Sequence, residues 1–176
     1  MTIPNLITIG RLIAVPFVIA AISQGLWTLA FVLFLLAGIS DAADGIIARR
    51  YQLRSELGAY LDPLADKALL VSIYVTLAVV AVLPGWLAIA VVSRDVMIVA
   101  AILVSRLMDR PVEIKPLFVS KLNTAAQIAF AALVLGAMAL GGVWAGLMAW
   151  GMGLVAVLTM LSAAAYLIRW LRHMAG

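Results

Sequence analysis

Four aspartates between positions 41 and 66 form two pairs, Asp41 with Asp44 and Asp62 with Asp66. Spacings of three and four put the members of each pair on one face of a helix, so two antiparallel helices joined by a short loop can aim all four carboxylates into one cleft. Carboxylates gathered in a poorly hydrated cleft repel one another and take up protons unless a cation holds them. Hard divalent cations prefer such oxygen ligands, and the pattern predicts a metal site. Each aspartate alone has an ordinary alternative: Asp41 and Asp44 as helix ends, Asp62 with Pro63 as a helix start, Asp66 paired with Lys67 or Arg49. The four together, interspersed with the small residues Gly45, Ala48 and Gly58, favour the site, because small residues let a ligand approach the backbone. Arg49, one turn beyond Gly45, then faces a phosphate rather than serving only as a surface anchor.

Other chemistry is sparse. The chain has no cysteine, which excludes disulfides, thiolate metal sites and a cysteine nucleophile. Its one histidine, His173, lies near the C-terminus, and no Ser–His arrangement is apparent. Arg94 and Asp95 fall near the middle of an apolar segment, where ionisable groups are costly and are either functional or paired. Arg94 is therefore a candidate anion ligand with Asp95 as its tether, and a purely structural Arg94–Asp95 pair is the alternative. Lys121 is either a ligand or a side chain reaching to the membrane surface.

The elements that carry these residues are membrane helices. Of the 176 residues, 66% are hydrophobic and 11% charged, with a mean hydropathy of +1.20. At about 20 apolar residues per span, the length leaves no room for a separate soluble domain, so residues 1–176 read as a single transmembrane domain. Three uncharged breaks, at Ser23–Trp27, Leu83–Trp86 and Gly141–Trp144, each end in the tryptophan favoured at membrane interfaces. The other connections, about 49 to 58 and 106 to 116, hold Arg49, Arg50, Arg54, Arg106, Arg110 and Lys115. The positive-inside rule makes these the inner loops and puts both termini inside. Six helices result: Ile3 to Ile22, Trp27 to Arg49, Gly58 to Ala81, Gly85 to Arg106, Lys115 to Leu140 and Val143 to Trp170. The expected fold is an all-α, polytopic bundle of six transmembrane helices. Its basic residues suit the inner leaflet, not a nucleic acid.

The run Asp41-x2-Asp44-Gly45-x2-Ala48-Arg49-x8-Gly58-x3-Asp62-x3-Asp66 resembles the complete signature of the CDP-alcohol phosphatidyltransferases, with eight fixed residues over 26 positions. The resemblance implies a six-helix core and a reaction in which an acceptor hydroxyl attacks CDP-diacylglycerol and releases CMP. It further implies two divalent cations, Mg²⁺ or Mn²⁺, held by Asp41, Asp44, Asp62 and Asp66, with Asp66 also the general base. Asp41, Gly45, Ala48, Arg49 and Gly58 would line the cytidine diphosphate pocket, and the family is commonly homodimeric.

Two branches of the family are close. The Pro4-Asn5-x2-Thr8-x2-Arg11 start is shared with phosphatidylglycerophosphate synthases, which typically show Gly-Lys-x-Lys-Thr where this chain has Ser120-Lys121-Leu122-Asn123-Thr124. The Ser93-Arg94-Asp95-Val96-Met97 run and the segment from Lys115 to Thr124 resemble instead the cardiolipin synthases of this superfamily. Charge agrees with the second branch. Glycerol 3-phosphate carries nearly two charges and phosphatidylglycerol one, so Asn123 in place of a lysine suits the diester. Arg94, Lys121 and Asn123 are the expected acceptor-binding residues, with Arg106 and Arg110 as further cations.

The expected function is thus cardiolipin formation from CDP-diacylglycerol and phosphatidylglycerol, with phosphatidylglycerophosphate synthesis as the alternative. An ion-coupled transporter, a different class, should carry its charges near the midplane of repeated halves, whereas these lie at one face. The first segment could instead be a signal peptide, but no Lys or Arg precedes Arg11 to make its basic part, and because no Arg- and Ser-rich leader is visible the expected location is a bacterial inner membrane with the site on the cytoplasmic side.

Overall fold

The computed structural model describes the backbone of residues 3–51, 56–108, 117–142 and 145–175, and side chains within 10–40, 67–105, 107–108, 117–142 and 145–174. Its helices are α1 (Ile3–Ser23), α2 (Trp27–Tyr51), α3 (Glu56–Val79), α4 (Gly85–Leu107), α5 (Phe118–Ala139) and α6 (Ala145–Ala175). No strand occurs among the described residues. The expected six-helix, all-α architecture is thus observed.

The three uncharged breaks share one backbone device. After α1, Leu26 N–H donates to Ala21 O and Gly25 N–H to Ile22 O, with Gly25 at φ 70°. After α5, Gly142 N–H donates to Ala137 O and Gly141 N–H to Met138 O, with Gly141 at φ 68°. These paired bonds are Schellman closures, which satisfy the last helical carbonyls and favour glycine at the left-handed position. After α3 the same pair forms from Val82 N–H to Leu77 O and from Ala81 N–H to Ala78 O, but the left-handed residue is Ala81, at φ 59°. This closure ends α3 at Val79, two residues before the expected Ala81. At the other end of the chain, α6 runs past Trp170 to Ala175, and its last turn carries Arg172 and His173, cations that suit the negative pole of a helix.

Among the described residues, three helical segments, Gly85–Ser105, Phe118–Ala139 and Ala145–Met174, are long and apolar enough to cross a membrane. Shorter apolar stretches, Gly10–Ser23, Trp27–Ser40 and Lys67–Val79, occupy the described parts of α1, α2 and α3. Large apolar side chains such as Phe17, Ile39, Ile89, Trp150 and Met160 stand exposed along the helices. Such faces are stable against lipid and not against water, so the protein is membrane-embedded.

The chain forms two compact units. One comprises Met1–Leu83 and Ala131–Trp144, in which α1 packs on both α2 and α3. Its interior repeats at three and four residues: Val18, Ala21 and Ile22 on α1; Ala30, Phe34 and Ala37 on α2; Ile73, Tyr74 and Leu77 on α3. The other comprises Pro84–Phe130 and Ala145–Gly176, in which α4 packs on α6. Its interior begins apolar, with Leu87, Val91, Phe130 and Val155, and then becomes polar. Polar contacts inside and apolar faces outside are the arrangement lipid favours.

Candidate functional site

The signature is divided between two helices. α2 continues unbroken through Tyr51 and α3 begins at Glu56, so positions 41, 44, 45 and 48 share one side of α2, and 58, 62 and 66 share one side of α3. The side chains of Asp41, Asp44, Gly45, Ala48, Arg49, Gly58, Asp62 and Asp66 lie outside the described residues, as do those of Arg106 and Arg110. Among the described residues no group of three or more His, Asp or Glu could hold a metal. The donor set of the signature, four carboxylates at helical spacing, fits a hard dication such as Mg²⁺ or Mn²⁺.

Beside the start of this run lies a recess between α1 and α2, lined by Arg11 and Ala14 from α1 and by Leu36, Ala37 and Ser40 from α2. Ser40 directly precedes Asp41. Arg11 is 4% exposed.

In the second unit, polar side chains from α4, α5 and α6 form a buried seam. Arg94, also 4% exposed, directs Nε at Ser162 Oγ (3.2 Å), Nη2 at Ser162 Oγ (2.8 Å) and at Ser120 Oγ, and Nη1 at Asp95 Oδ1 (2.5 Å). Its guanidinium carbon lies 5.7 Å from the ring centre of Tyr166, within reach of a cation–π attraction. One turn along α5, Thr159 donates to Asn123 Oδ1 (3.0 Å) and accepts from Gln127 Nε2 (3.3 Å). Asn123 is wholly buried, and its Nδ2 has no hydrogen-bond partner among the described residues. Farther along α4, Trp170 Nε1 donates to Ser105 Oγ (2.8 Å).

Of the residues expected from sequence to meet an acceptor, the structure brings Arg94 and Asn123 into this seam and leaves Lys121 exposed. Arg94 and Asp95 form an ion pair, as both the tether and the purely structural alternative expect. Four guanidinium contacts already go to protein groups, so Arg94 braces α4 against α5 and α6. Sequence reasoning missed Ser120, Gln127, Thr159 and Ser162 as parts of the seam, and missed Arg11 as a lining residue. The available signal was the spacing of Ser120, Asn123 and Gln127, and of Thr159, Ser162 and Tyr166, at three and four residues in otherwise apolar helices.

Comparison with known proteins bears directly on the signature. The chain is 39% identical over 153 residues to a probable cardiolipin synthase (CMP-forming) of Drosophila melanogaster, covering 78% of this chain and 48% of that protein. It is 37% identical over 152 residues to the human cardiolipin synthase (CMP-forming), covering 77% and 50%. A probable phosphatidylglycerophosphate synthase of Mycobacterium tuberculosis is 34% identical over 97 residues, covering 52% and 46%. The chain spans about half the length of these relatives. Residues 1–168 match the family described as CDP-alcohol phosphatidyltransferase, which takes in the whole signature, and the chain therefore belongs to the CDP-alcohol phosphatidyltransferase family.

Proposed function

We propose that the protein is a metal-dependent phosphatidyltransferase that joins the phosphatidyl group of CDP-diacylglycerol to a hydroxyl of phosphatidylglycerol, giving cardiolipin and CMP. The observation that carries this reading is the complete eight-residue signature on α2 and α3, in a chain whose cardiolipin synthase relatives match along three-quarters of its length. Phosphatidylglycerophosphate synthesis from glycerol 3-phosphate is the second reading, favoured by the Mycobacterium relative and by a relative named CDP-diacylglycerol–glycerol-3-phosphate 3-phosphatidyltransferase in Arabidopsis thaliana.

The roles follow from chemistry. The acceptor oxygen bonds to the phosphorus that bears diacylglycerol, and the bond from that phosphorus to the CMP oxygen breaks, CMP leaving with the electron pair. Asp66 takes the proton of the attacking hydroxyl, which needs a carboxylate that is ionised before attack. Asp41, Asp44, Asp62 and Asp66 would hold two dications, which when bound neutralise charge on the diphosphate and on the departing CMP. Arg49 pairs with a phosphate oxygen, and Gly45, Ala48 and Gly58 leave room for the nucleotide against the backbone. Lys121, Arg106 and Arg110 supply cations on the acceptor side, with Asn123 setting the preference for a monoanion and Arg94 holding the α4–α6 interior in place.

The match across residues 1–168 supports one domain, and the placement of Lys and Arg in the loops is the argument for a site on the positively flanked face of the membrane, with both termini on that side. A homodimer is part of the same reading by family likeness. The deciding experiment incubates purified protein with CDP-diacylglycerol and each acceptor separately. Cardiolipin from phosphatidylglycerol is expected. Efficient phosphatidylglycerophosphate formation without cardiolipin would transfer the assignment to the second reading, and no CMP release with either acceptor would overturn both.

A further inference from the structure

A shallow groove of about 20 Å³ lies between α4 and α6, both in the second unit, lined by Met97 and Ala101 on α4 and by Tyr166, Leu167, Arg169 and Trp170 on α6. Its aromatic side chains are held from within. Tyr166 is buried with the Arg94 guanidinium 5.7 Å from its ring centre, and Trp170 gives its one donor to Ser105 Oγ (2.8 Å). What they leave to the groove is apolar ring surface, and Leu167 and Leu171 beside it are 43% and 51% exposed. Arg169 is exposed, and Arg172, also exposed, follows on the same side of α6 at a spacing of three. No hydrogen bond or ion pair to either arginine occurs among the described residues. Arginine and tryptophan at the end of an apolar membrane helix stand at the level of the lipid headgroups.

We infer that this groove is a binding site for an anionic phospholipid of the bilayer, one acyl chain lying along Met97, Ala101 and Leu167 and the phosphodiester meeting Arg169 and Arg172. The inference stands apart from the cardiolipin synthase reading, since it uses no signature residue and no acceptor residue. Basic groups bordering a cleft between membrane helices are a recurrent means of holding anionic headgroups, and a guanidinium matches two phosphate oxygens at once. A choline lipid brings its own cation to the same place and gains less. A second copy of the chain is the poorer occupant: a two-fold interface on this face sets the patch against itself, so Arg169 and Arg172 would meet like charge. The groove adds to the charge a shape that can be closed while every charge on the protein stays in place, which separates a built site from general attraction to a basic face.

The test uses the full chain in detergent and native mass spectrometry with an equimolar mixture of dioleoyl-phosphatidylserine, an anionic diester that the proposed reaction does not use, and dioleoyl-phosphatidylcholine. An arginine near a membrane surface is worth about fivefold toward an anionic lipid, so the wild type should retain the serine lipid by roughly tenfold or more, and Arg169→Gln should lower that ratio about fivefold. Arg172→Gln should lower it further in the double variant. Ala101→Leu, which fills the groove and leaves every charge in place, should lower it as well, whereas Lys121→Gln, which removes an exposed cation on α5, should leave it within about twofold. A ratio that survives Ala101→Leu, or that falls as far with Lys121→Gln as with Arg169→Gln, reveals diffuse attraction to a basic face and overturns the inference. No preference in the wild type overturns it too, and if that protein is a dimer which Ala101→Leu separates into monomers, the groove belongs to a second copy of the chain. Should Ala101→Leu fail to fold, the comparison of Arg169→Gln with Lys121→Gln decides.

Discussion

Thr159 on α6 donates its hydroxyl proton to the amide oxygen of Asn123 on α5 across 3.0 Å, and both residues are completely buried. Lipid gives helices little hydrophobic reason to associate, so hydrogen bonds of this kind help set which faces meet. Thr159→Val keeps the shape and removes the donor, leaving Asn123 Oδ1 buried without it. The expected cost is about 1 to 2 kcal/mol, seen as a fall of several degrees in the melting temperature of detergent-solubilised protein. An unchanged melting temperature would show that the bond contributes nothing.

Asn123→Lys tests the acceptor preference at the same position. The ammonium must enter an interior where the asparagine has no exposure, so a loss of stability is expected alongside a shift toward glycerol 3-phosphate. A direct contact should favour the dianion over the monoanion by about 1 to 3 kcal/mol, or roughly tenfold or more in relative specificity. Competition between the two acceptors at fixed CDP-diacylglycerol measures the ratio, and an unmoved ratio in folded protein removes Asn123 from acceptor selection.

Gly151 on α6 faces the ring of Phe130 on α5. A Cβ at position 151 would stand 2.5 Å from Phe130 Cε2, well inside van der Waals contact. Gly151→Ala should therefore destabilise the protein by about 1 to 3 kcal/mol through overpacking. Combining it with Phe130→Leu should return part of that loss. A double variant no better than the sum of the single ones would contradict the packing account.

Asp66→Asn should abolish CMP release while CDP-diacylglycerol binding survives, since the amide cannot accept the hydroxyl proton. Chelation should likewise silence the wild type, with activity restored by Mg²⁺ or Mn²⁺, and Asp41→Ala or Asp44→Ala should raise the metal concentration required. Full turnover after exhaustive chelation would refute the carboxylate assignment.

Ala81 sits in the left-handed region at φ 59°, where a side chain costs about 1 to 2 kcal/mol relative to glycine. Ala81→Gly gives back about 0.4 to 1 kcal/mol through a looser unfolded chain. The net expectation is a small gain in thermal stability, and a clear loss in calorimetry would mean that the Ala81 methyl makes contacts that matter.

Helix number and the three uncharged turns were legible because glycine and interfacial tryptophan interrupt long apolar runs. The early end of α3 was not, since an alanine carries no signal for the left-handed conformation that Ala81 adopts. Arg94 stood out as a group too polar for its surroundings and Asn123 as a departure from the Gly-Lys-x-Lys-Thr pattern, and both proved buried in a hydrogen-bonded interior. Ser120, Thr159 and Ser162 did not stand out, because a hydroxyl in a membrane helix can satisfy itself on its own backbone. Thr76 does so on Ser72 O (2.7 Å), Ser105 on Ala101 O (2.7 Å) and Thr124 on Ser120 O (3.1 Å). Which hydroxyls bond across helices depends on packing that spacing alone does not determine. The signature was readable from spacing, as four carboxylates at helical intervals have few other uses, while Arg11 was quoted only as part of a terminal motif because its recess needs α2 beside α1.

The ion pair between Arg94 and Asp95 joins consecutive residues of one helix. Its counter-charge is thus available as soon as α4 is synthesised, before Ser120 on α5 or Ser162 on α6 exists. The segment can leave the translocation machinery for the bilayer carrying no net charge at its centre, sparing much of the roughly 2.5 to 3.5 kcal/mol that a lone arginine would cost there. Its later partners then replace an already tolerable arrangement with a better one, so the order of synthesis and the order of stabilisation coincide.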